Sequence, residues 1–514
     1  MRRLHNSLCF SRAFPNTLIE YRDAHQQLRE FERRAGKKLS DSGIAGTRLH
    51  YRFSFHVAKW LARNAPGTVS IDWAEYDACE RLDELLQQIL QSSEDDYFDS
   101  GYVSSQDWIA LASAGFPGTD FDWLLAQLQD KRFQKVWAQL YDAADLPLVW
   151  HIGESELSKS RNVFPVNNVA IRDKGMRDRP NNPKREILRP LPVIEKLTKR
   201  RGAMLVDVAM ASLAARHRET NHFNFANPDE VYLADVGEGV SVAVFGLAAE
   251  YRYPLECTLG FLILSNGVPV GYGGSSTLFL QVNTGINIFD EYRGSEASFL
   301  WVQVMRVYHA LVGCTRFVVN PYQFGADNSE ALMSGAFWFY FHLGFRPVDA
   351  RVRALAKQEA ARRRRNPAYR SDERKLRKLS SCDMHLTLPG SRQSEFFDED
   401  WLATSSMLGT RELAAVGGST RSESAQCVAK NVARDLGMRS VKNWSSAEQR
   451  ALENIAPIVA ATKPAEWPAI EKTSMRKLLR TKGGLHEATF ARLLGEHEHF
   501  RSVLRAACRS ADRS

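Results

Sequence analysis

One stretch, residues 240–272, constrains this chain more than any other. Residues 240–245, Val-Ser-Val-Ala-Val-Phe, alternate at period two, the rhythm of a strand with one buried face. Residues 259–264 and 268–272 are two further apolar runs, separated by Ser265-Asn266-Gly267. Asn-Gly between apolar runs is the strongest short hairpin signal, because both central residues of the tight turn need φ > 0. An antiparallel sheet is therefore expected here, and its neighbours must serve it. Upstream, residues 202–217 read as a periodic helix with Arg216-His217-Arg218 at its C-terminal end, where cations suit the dipole. Downstream come a short strand at 286–289 and a helix over about 295–312, with Gly313 as its C-cap. A strand at 315–319 is stopped by Asn320-Pro321, a helix over about 329–342 ends before Gly344, and residues 384–388 supply a last strand.

The chain has 514 residues, too long for one ordinary core; about 150 residues per domain gives roughly three. Residues 1–195 read as a mainly helical N-terminal region. Within it, 21–34 and 81–91 have helical spacing, 68–73 is a short strand, and Glu94-Asp95-Asp96 and Phe116-Pro117-Gly118 mark loops. Residues 177–184, Arg-Asp-Arg-Pro-Asn-Asn-Pro-Lys, read as an exposed loop or linker. Residues 196–390 form the sheet-bearing domain. Residues 391–514 are helical again, with Ser445 three positions before Glu448 in the pattern of a capping box, and with helices around Gly483-Gly484. The expected class is α/β, a mixed but mainly antiparallel sheet with helices, flanked by helical regions.

No run reaches the roughly 18 apolar residues of a membrane span. The nearest, 203–215, is interrupted by Asp207. Met1-Arg2-Arg3 is not followed by a long apolar segment, so no secretory leader and no membrane partner are expected. The seven cysteines (9, 79, 257, 314, 382, 427 and 508) lie far apart, which suits a reducing, cytoplasmic setting. There is no C-x-x-C and no H-E-x-x-H, and His497 and His499, two apart, read as part of a solvated helix, so no metal is expected. A P-loop and a G-x-S-x-G elbow are also missing.

The net charge of +8 sits in one place. Residues 351–380 hold twelve Lys or Arg against three acidic residues, so the remainder is close to neutral. Arg362-Arg363-Arg364-Arg365 is at the centre. Such a segment meets a nucleic acid or another acidic partner, or is the exposed face of a helix with Ala354, Leu355, Ala360 and Ala361 inside. Tyr369 is its one aromatic residue, which gives no base-stacking platform.

The element order feeds a strand into a helix N-terminus at Phe289-Asp290-Glu291-Tyr292-Arg293-Gly294. Free N–H groups and the positive dipole end there suit a pyrophosphate. Over residues 205–390 the chain resembles the GNAT superfamily of N-acetyltransferases in three pieces. Gly267-Val-Pro-Val-Gly271-Tyr resembles its central hairpin strand, Tyr292-Arg293-Gly294 the start of its acyl-CoA motif, and Tyr340-Phe-His-Leu-Gly344-Phe345 its closing segment.

The resemblance implies transfer of an acyl group from acetyl-CoA or another acyl-CoA to an amine acceptor. It implies that Arg293, Gly294, Ser295, Ala297 and Ser298 hold the pyrophosphate and that backbone near Gly271 holds the thioester oxygen. Tyr340 matches the family's acid, and Glu256 and Glu250 are the carboxylates available as base. The sequence departs from the family where Glu296 and Ser298 replace two loop glycines, and about five extra residues lie between Asn328 and Tyr340. Two other readings stay open: a degenerate fold of this type acting as a binding or scaffold protein, and a transferase using aminoacyl-tRNA held by the basic insertion.

Overall fold

The computed structural model describes every residue except 36–38, 78–79, 192, 393–395 and 512–514, so Cys79 lies outside the described residues. Two compact units are present: one of Met1–Ile171, Val206–Asn224 and Gly267–Pro269, the other of Arg172–Leu205, Phe225–Asn266 and Val270–Ser514. This grouping differs from the expected three regions. Residues 172–195 and 391–514 both belong with the sheet.

The first unit is mainly helical around a three-stranded antiparallel sheet. Leu148–His151 is its central strand, between Arg48–Tyr51 and Val69–Ile71. The strand expected at 68–73 is therefore present and shorter. Glu94-Asp95-Asp96 opens a one-turn helix, Asp95–Phe98, rather than a loop. Trp150, Tyr141, Phe55 and Phe121 fill the core. Gly43, at φ +70°, passes so close to the Ala215 carbonyl that any side chain there would collide with it.

The second unit is built on a mixed, mainly antiparallel ten-stranded sheet. The sheet's strands are β1 (Ile194–Lys196), β2 (Ala226–Gly237), β3 (Val240–Leu247), β4 (Cys257–Ser265), β5 (Val268–Leu278, its first two residues grouped with the first unit), β6 (Gln281–Thr284), β7 (Asn287–Ile288), β8 (Arg316–Val319), β9 (Arg346–Pro347) and β10 (Met384–Thr387). The order is β9-β10-β8-β6-β5-β4-β3-β2-β1, with β7 also on β5. The Asn266–Gly267 turn joins β4 to β5 with φ of 49° and 76°, as the hairpin reading requires.

A second tight turn, Phe279–Leu280, joins β5 to β6, with Leu278 opposite Gln281. Phe279 sits at φ 52°, unusual for a bulky residue. It is held there by ring contacts to Phe397, Trp401 and Phe500. β6 pairs in parallel with β8 for three residues, Gln281 to Asn283 against Arg316 to Val318. Beyond that the two part. β7 continues along β5, with Asn287 opposite Tyr272 and Ile288 opposite Gly271.

The helix expected after β7 is α1 (Ala297–Val312), closed by Gly313 in the left-handed region. The helix expected over 329–342 is instead two, α2 (Ser329–Ser334) and α3 (Ala336–His342). Gly335 adopts φ 68° and ends the first, so the chain turns where a continuous helix was expected. The basic insertion is α4 (Ala350–Arg365) and α5 (Glu373–Leu379). Its buried positions are Ala356 and Glu359 on α4, while Ala354 is exposed and Leu355, Ala360 and Ala361 are half-buried.

The C-terminal helices are α6 (Glu399–Ala415), α7 (Arg421–Asp435), α8 (Ser446–Ala460), α9 (Ala469–Lys482), α10 (Glu487–Glu496) and α11 (Glu498–Ala511). The Ser445–Glu448 capping box is present at the start of α8. Helix α10 packs on β3, on β4 and on α1, which ties the end of the chain to the sheet. His497, between α10 and α11, is buried rather than solvated, against Trp467. No helix is long and apolar enough to cross a membrane, among the described residues. Among the same residues, no group of three or more His, Cys, Asp or Glu could hold a metal ion.

Candidate functional site

The start of α1 gathers the loop residues singled out in the sequence. Gly294 takes φ 91°, turning the chain into the helix, and nothing lies within 4 Å of where its Cβ would be. Arg293 points along the surface to ion pairs with Asp290, at 2.9 Å, and Glu330. Glu296 is the N-cap residue, and its carboxylate is wholly buried. Glu296 Oε1 accepts from Arg172 Nε at 3.0 Å and from the Arg177 backbone N–H at 3.2 Å. Glu296 Oε2 accepts from Arg177 Nε at 2.9 Å and Nη2 at 2.5 Å. The Arg177 guanidinium also stacks 3.8 Å from the centre of the Phe299 ring. Burial pulls the Arg172 guanidinium below its ordinary value, and the Glu296 carboxylate opposes that pull. A negative charge beside the helix start, neutralised by two arginines, is therefore supplied by the chain itself. Arg177, read as part of an exposed linker, is one of the two.

The parting of β6 from β8 is filled by side chains. A Cβ on Gly285 would sit 2.3 Å from Gln323 Oε1, so glycine is needed for that close packing. Tyr340, on α3, is hydrogen-bonded through its hydroxyl to the backbone of Ile286. It is buried among Trp301, Phe324 and Phe345, and burial raises its pKa well above the ordinary phenol value.

The carboxylates expected to serve as base are placed elsewhere. Glu256 accepts a hydrogen bond from the Ser276 hydroxyl. Ser276 stands opposite Asn283 of β6, within the stretch still paired to β8 and before the two strands part. Glu250 is exposed on the turn Ala249–Tyr251. Gly271 also lies away from the parting. It is fully paired with Ile288 of β7, whose side chain and the Asn287 carbonyl would stand 2.8 Å and 2.9 Å from a Cβ there. Its glycine serves the crowding of two strands. The structure thus brings Arg293, Gly294, Ser295, Ala297 and Ser298 together, and leaves Tyr340, Glu250, Glu256 and Gly271 dispersed.

A second charged group was not foreseen. Glu230 on β2 accepts from Arg252 Nη2 at 3.0 Å and from the Ala488 backbone N–H at 2.9 Å. Arg252 further donates to the carbonyls of Leu247, Lys482 and Gly484. Lys482 pairs with Glu487 at 2.5 Å and donates to the Glu256 carbonyl. All four side chains are at most 2% exposed. Burial pushes the Glu230 carboxyl up to about 7, against the pull of Arg252. A Cβ on Gly246 would meet the Glu230 side chain at 2.3 Å, so that glycine makes the room. With two acids and two cations packed and hydrogen-bonded, this group pins α9 and α10 to the sheet.

No family model, no curated protein and no solved structure matches the chain.

Proposed function

We propose that residues 205–390 form a GNAT-type sheet whose acyl-CoA site is closed by the chain's own side chains, and that the protein works as a binding or scaffold protein. The observation that carries this reading is the Glu296 carboxylate held between Arg172 and Arg177. In a pyrophosphate site the helix start and nearby cations face a ligand; here the ligand's charge is replaced by a buried glutamate. For coenzyme A to enter, Glu296 would have to leave two arginines and vacate the first turn. Breaking a buried ion pair costs about 3–5 kcal/mol, equivalent to more than a hundredfold in affinity. The strand order supports the GNAT assignment: the parallel pair β6–β8 parts, a helix links its two members, and β10 inserts between β8 and β9.

A titration of the full chain with coenzyme A and acetyl-CoA tests this. A ligand at a hundred times its Kd adds about 2.7 kcal/mol, a shift of several degrees in Tm. The expected result is no shift at millimolar ligand. Glu296→Gly leaves Arg172 and Arg177 available for an anion, so its Tm should rise when coenzyme A is added. A clear shift for the unaltered chain overturns the closed-site reading. The second reading, an N-acyltransferase acting on an amine, would then stand. It is favoured by one observation, the Tyr340 hydroxyl at Ile286, where β6 and β8 separate.

A further inference from the structure

The basic insertion consumes its acids internally. Glu359, buried on α4, accepts from Arg362 Nη1 at 2.9 Å, from the Tyr369 hydroxyl at 2.8 Å and from the Ser371 hydroxyl at 2.8 Å. Asp372 caps α5 and pairs with Lys375 at 2.6 Å, and Glu373 pairs with Arg377 at 2.7 Å. Asp349, just before the insertion, caps α4 through the backbone of Arg351 and Val352. Of the exposed cations with no ion pair among the described residues, Arg353 and Arg370 spend their guanidinium groups on backbone carbonyls, Arg370 on those of Pro367 and Tyr369, which leaves six, Arg351, Lys357, Arg364, Arg365, Arg374 and Lys378. Arg353 and Arg363 are used to fix the insertion. The first donates to the Pro347 and Val348 carbonyls, and the second lies 4.8 Å from the centre of the Trp338 ring.

We propose that this face binds the phosphate backbone of a nucleic-acid duplex without sequence preference. Arg351 and Arg365 are fourteen positions apart on one helix, about 21 Å, close to six base steps of 3.4 Å. Lys357 and Arg364, seven positions apart, share one side of the helix. Most of the cations are arginines, whose planar fork matches a phosphate better than a lysine does. A single strand is disfavoured because the segment's one aromatic, Tyr369, is half-buried with its hydroxyl taken by Glu359. A membrane surface is disfavoured because no large apolar side chain between 349 and 380 is exposed. None of the six cations belongs to the coenzyme A question, so the two tests fail separately.

The experiment is fluorescence anisotropy of the full chain with 20-base-pair DNA and RNA duplexes between 50 and 200 mM NaCl. Six phosphate contacts give a log–log salt slope near −5, close to a thousandfold loss of affinity over that range. Replacing Lys357, Arg364, Arg365 and Arg374 by Gln should flatten the slope by between three and four, with Tm unchanged. A second variant confined to α5, Arg374→Gln with Lys378→Gln, should flatten it by about two, and keeps the test valid if the larger variant fails to fold. The proposal is overturned by no binding at 50 mM NaCl or by an unchanged slope in a folded variant. Equal affinity for polyglutamate or for anionic phosphatidylserine vesicles also overturns it.

Discussion

Glu296 takes four hydrogen bonds from two arginines and, among the described residues, pairs its charge with no other cation. Removing the carboxylate leaves both guanidinium groups in place, one of them with a 1% exposed side chain. Glu296→Ala should therefore cost about 3–5 kcal/mol in urea unfolding, far more than the loss of an ordinary helix cap. Glu296→Leu combined with Arg172→Met should be much less damaging than the sum of the two single changes, because an apolar replacement removes both charges together. Equal and additive losses would show that the pair is not coupled. The sequence marks Glu296 as a departure from the glycine expected there. It does not show Arg172 and Arg177, which lie 124 and 119 positions upstream with no local pattern linking them to the helix. Gly271 misleads for a related reason. A glycine in a strand signals close approach of something, and here that is a neighbouring strand rather than a ligand.

The elements that were legible carry their own punctuation. Asn266-Gly267, Gly313 and the Ser445–Glu448 box each impose a backbone geometry on a few consecutive residues, so a short window suffices. β2 and β6 were not legible. β2 contains Pro228, Asp229 and Glu230, poor strand formers that fall in the irregular stretch between Ala226 and Val231, where the pairing with β3 shifts register, and Glu230 is held there by Arg252. β6 is short and polar, Gln-Val-Asn-Thr, and gains its place from β5 and β8. The break at Gly335 was visible as a glycine, but a glycine inside a helical pattern is often tolerated.

The insertion offers a test at this scale. Burial opposes ionisation of Glu359, but the hydrogen bonds from Tyr369 and Ser371 and the charges of Lys375 and Arg362 outweigh it, so its pKa lies below the ordinary value. Glu359→Ala removes three hydrogen bonds at once. Amide exchange across α4 and α5 should then speed up by about tenfold to a hundredfold, as expected for about 1–3 kcal/mol. Exchange in β3 to β5 should not change. Unaltered exchange in α4 would show that the glutamate does not organise the insertion.

For the molecule as a whole, the Glu230–Arg252–Lys482–Glu487 group sets a pH dependence. Glu230 holds its proton up to about 7 in the fold, against an ordinary 4.5. The fold thus binds more protons than the unfolded chain between those values. That stabilisation is complete below about 4.5 and is lost as pH rises through about 7. At about 1.4 kcal/mol per unit, the loss is about 3–4 kcal/mol. Urea midpoints measured from pH 5 to 8 should fall more steeply for the unaltered chain than for Glu230→Gln. Parallel curves would show that the carboxyl is ionised throughout.

The same group makes the order of synthesis matter. Glu230 waits for the Ala488 amide, 258 positions later. At about 5–20 residues per second, that interval is roughly 13–50 s. During it, the nascent sheet carries Glu230 and Arg252 without their later partners, and the Phe279 turn without the ring of Phe500. A ribosome pausing before Ala488 would display a sheet with all ten strands made, the last ending at Thr387, but with β3, β4 and α1 still lacking the packing of α10. Residues 487–500 therefore decide when the apolar side chains of β3 and β4 beneath α10 are covered.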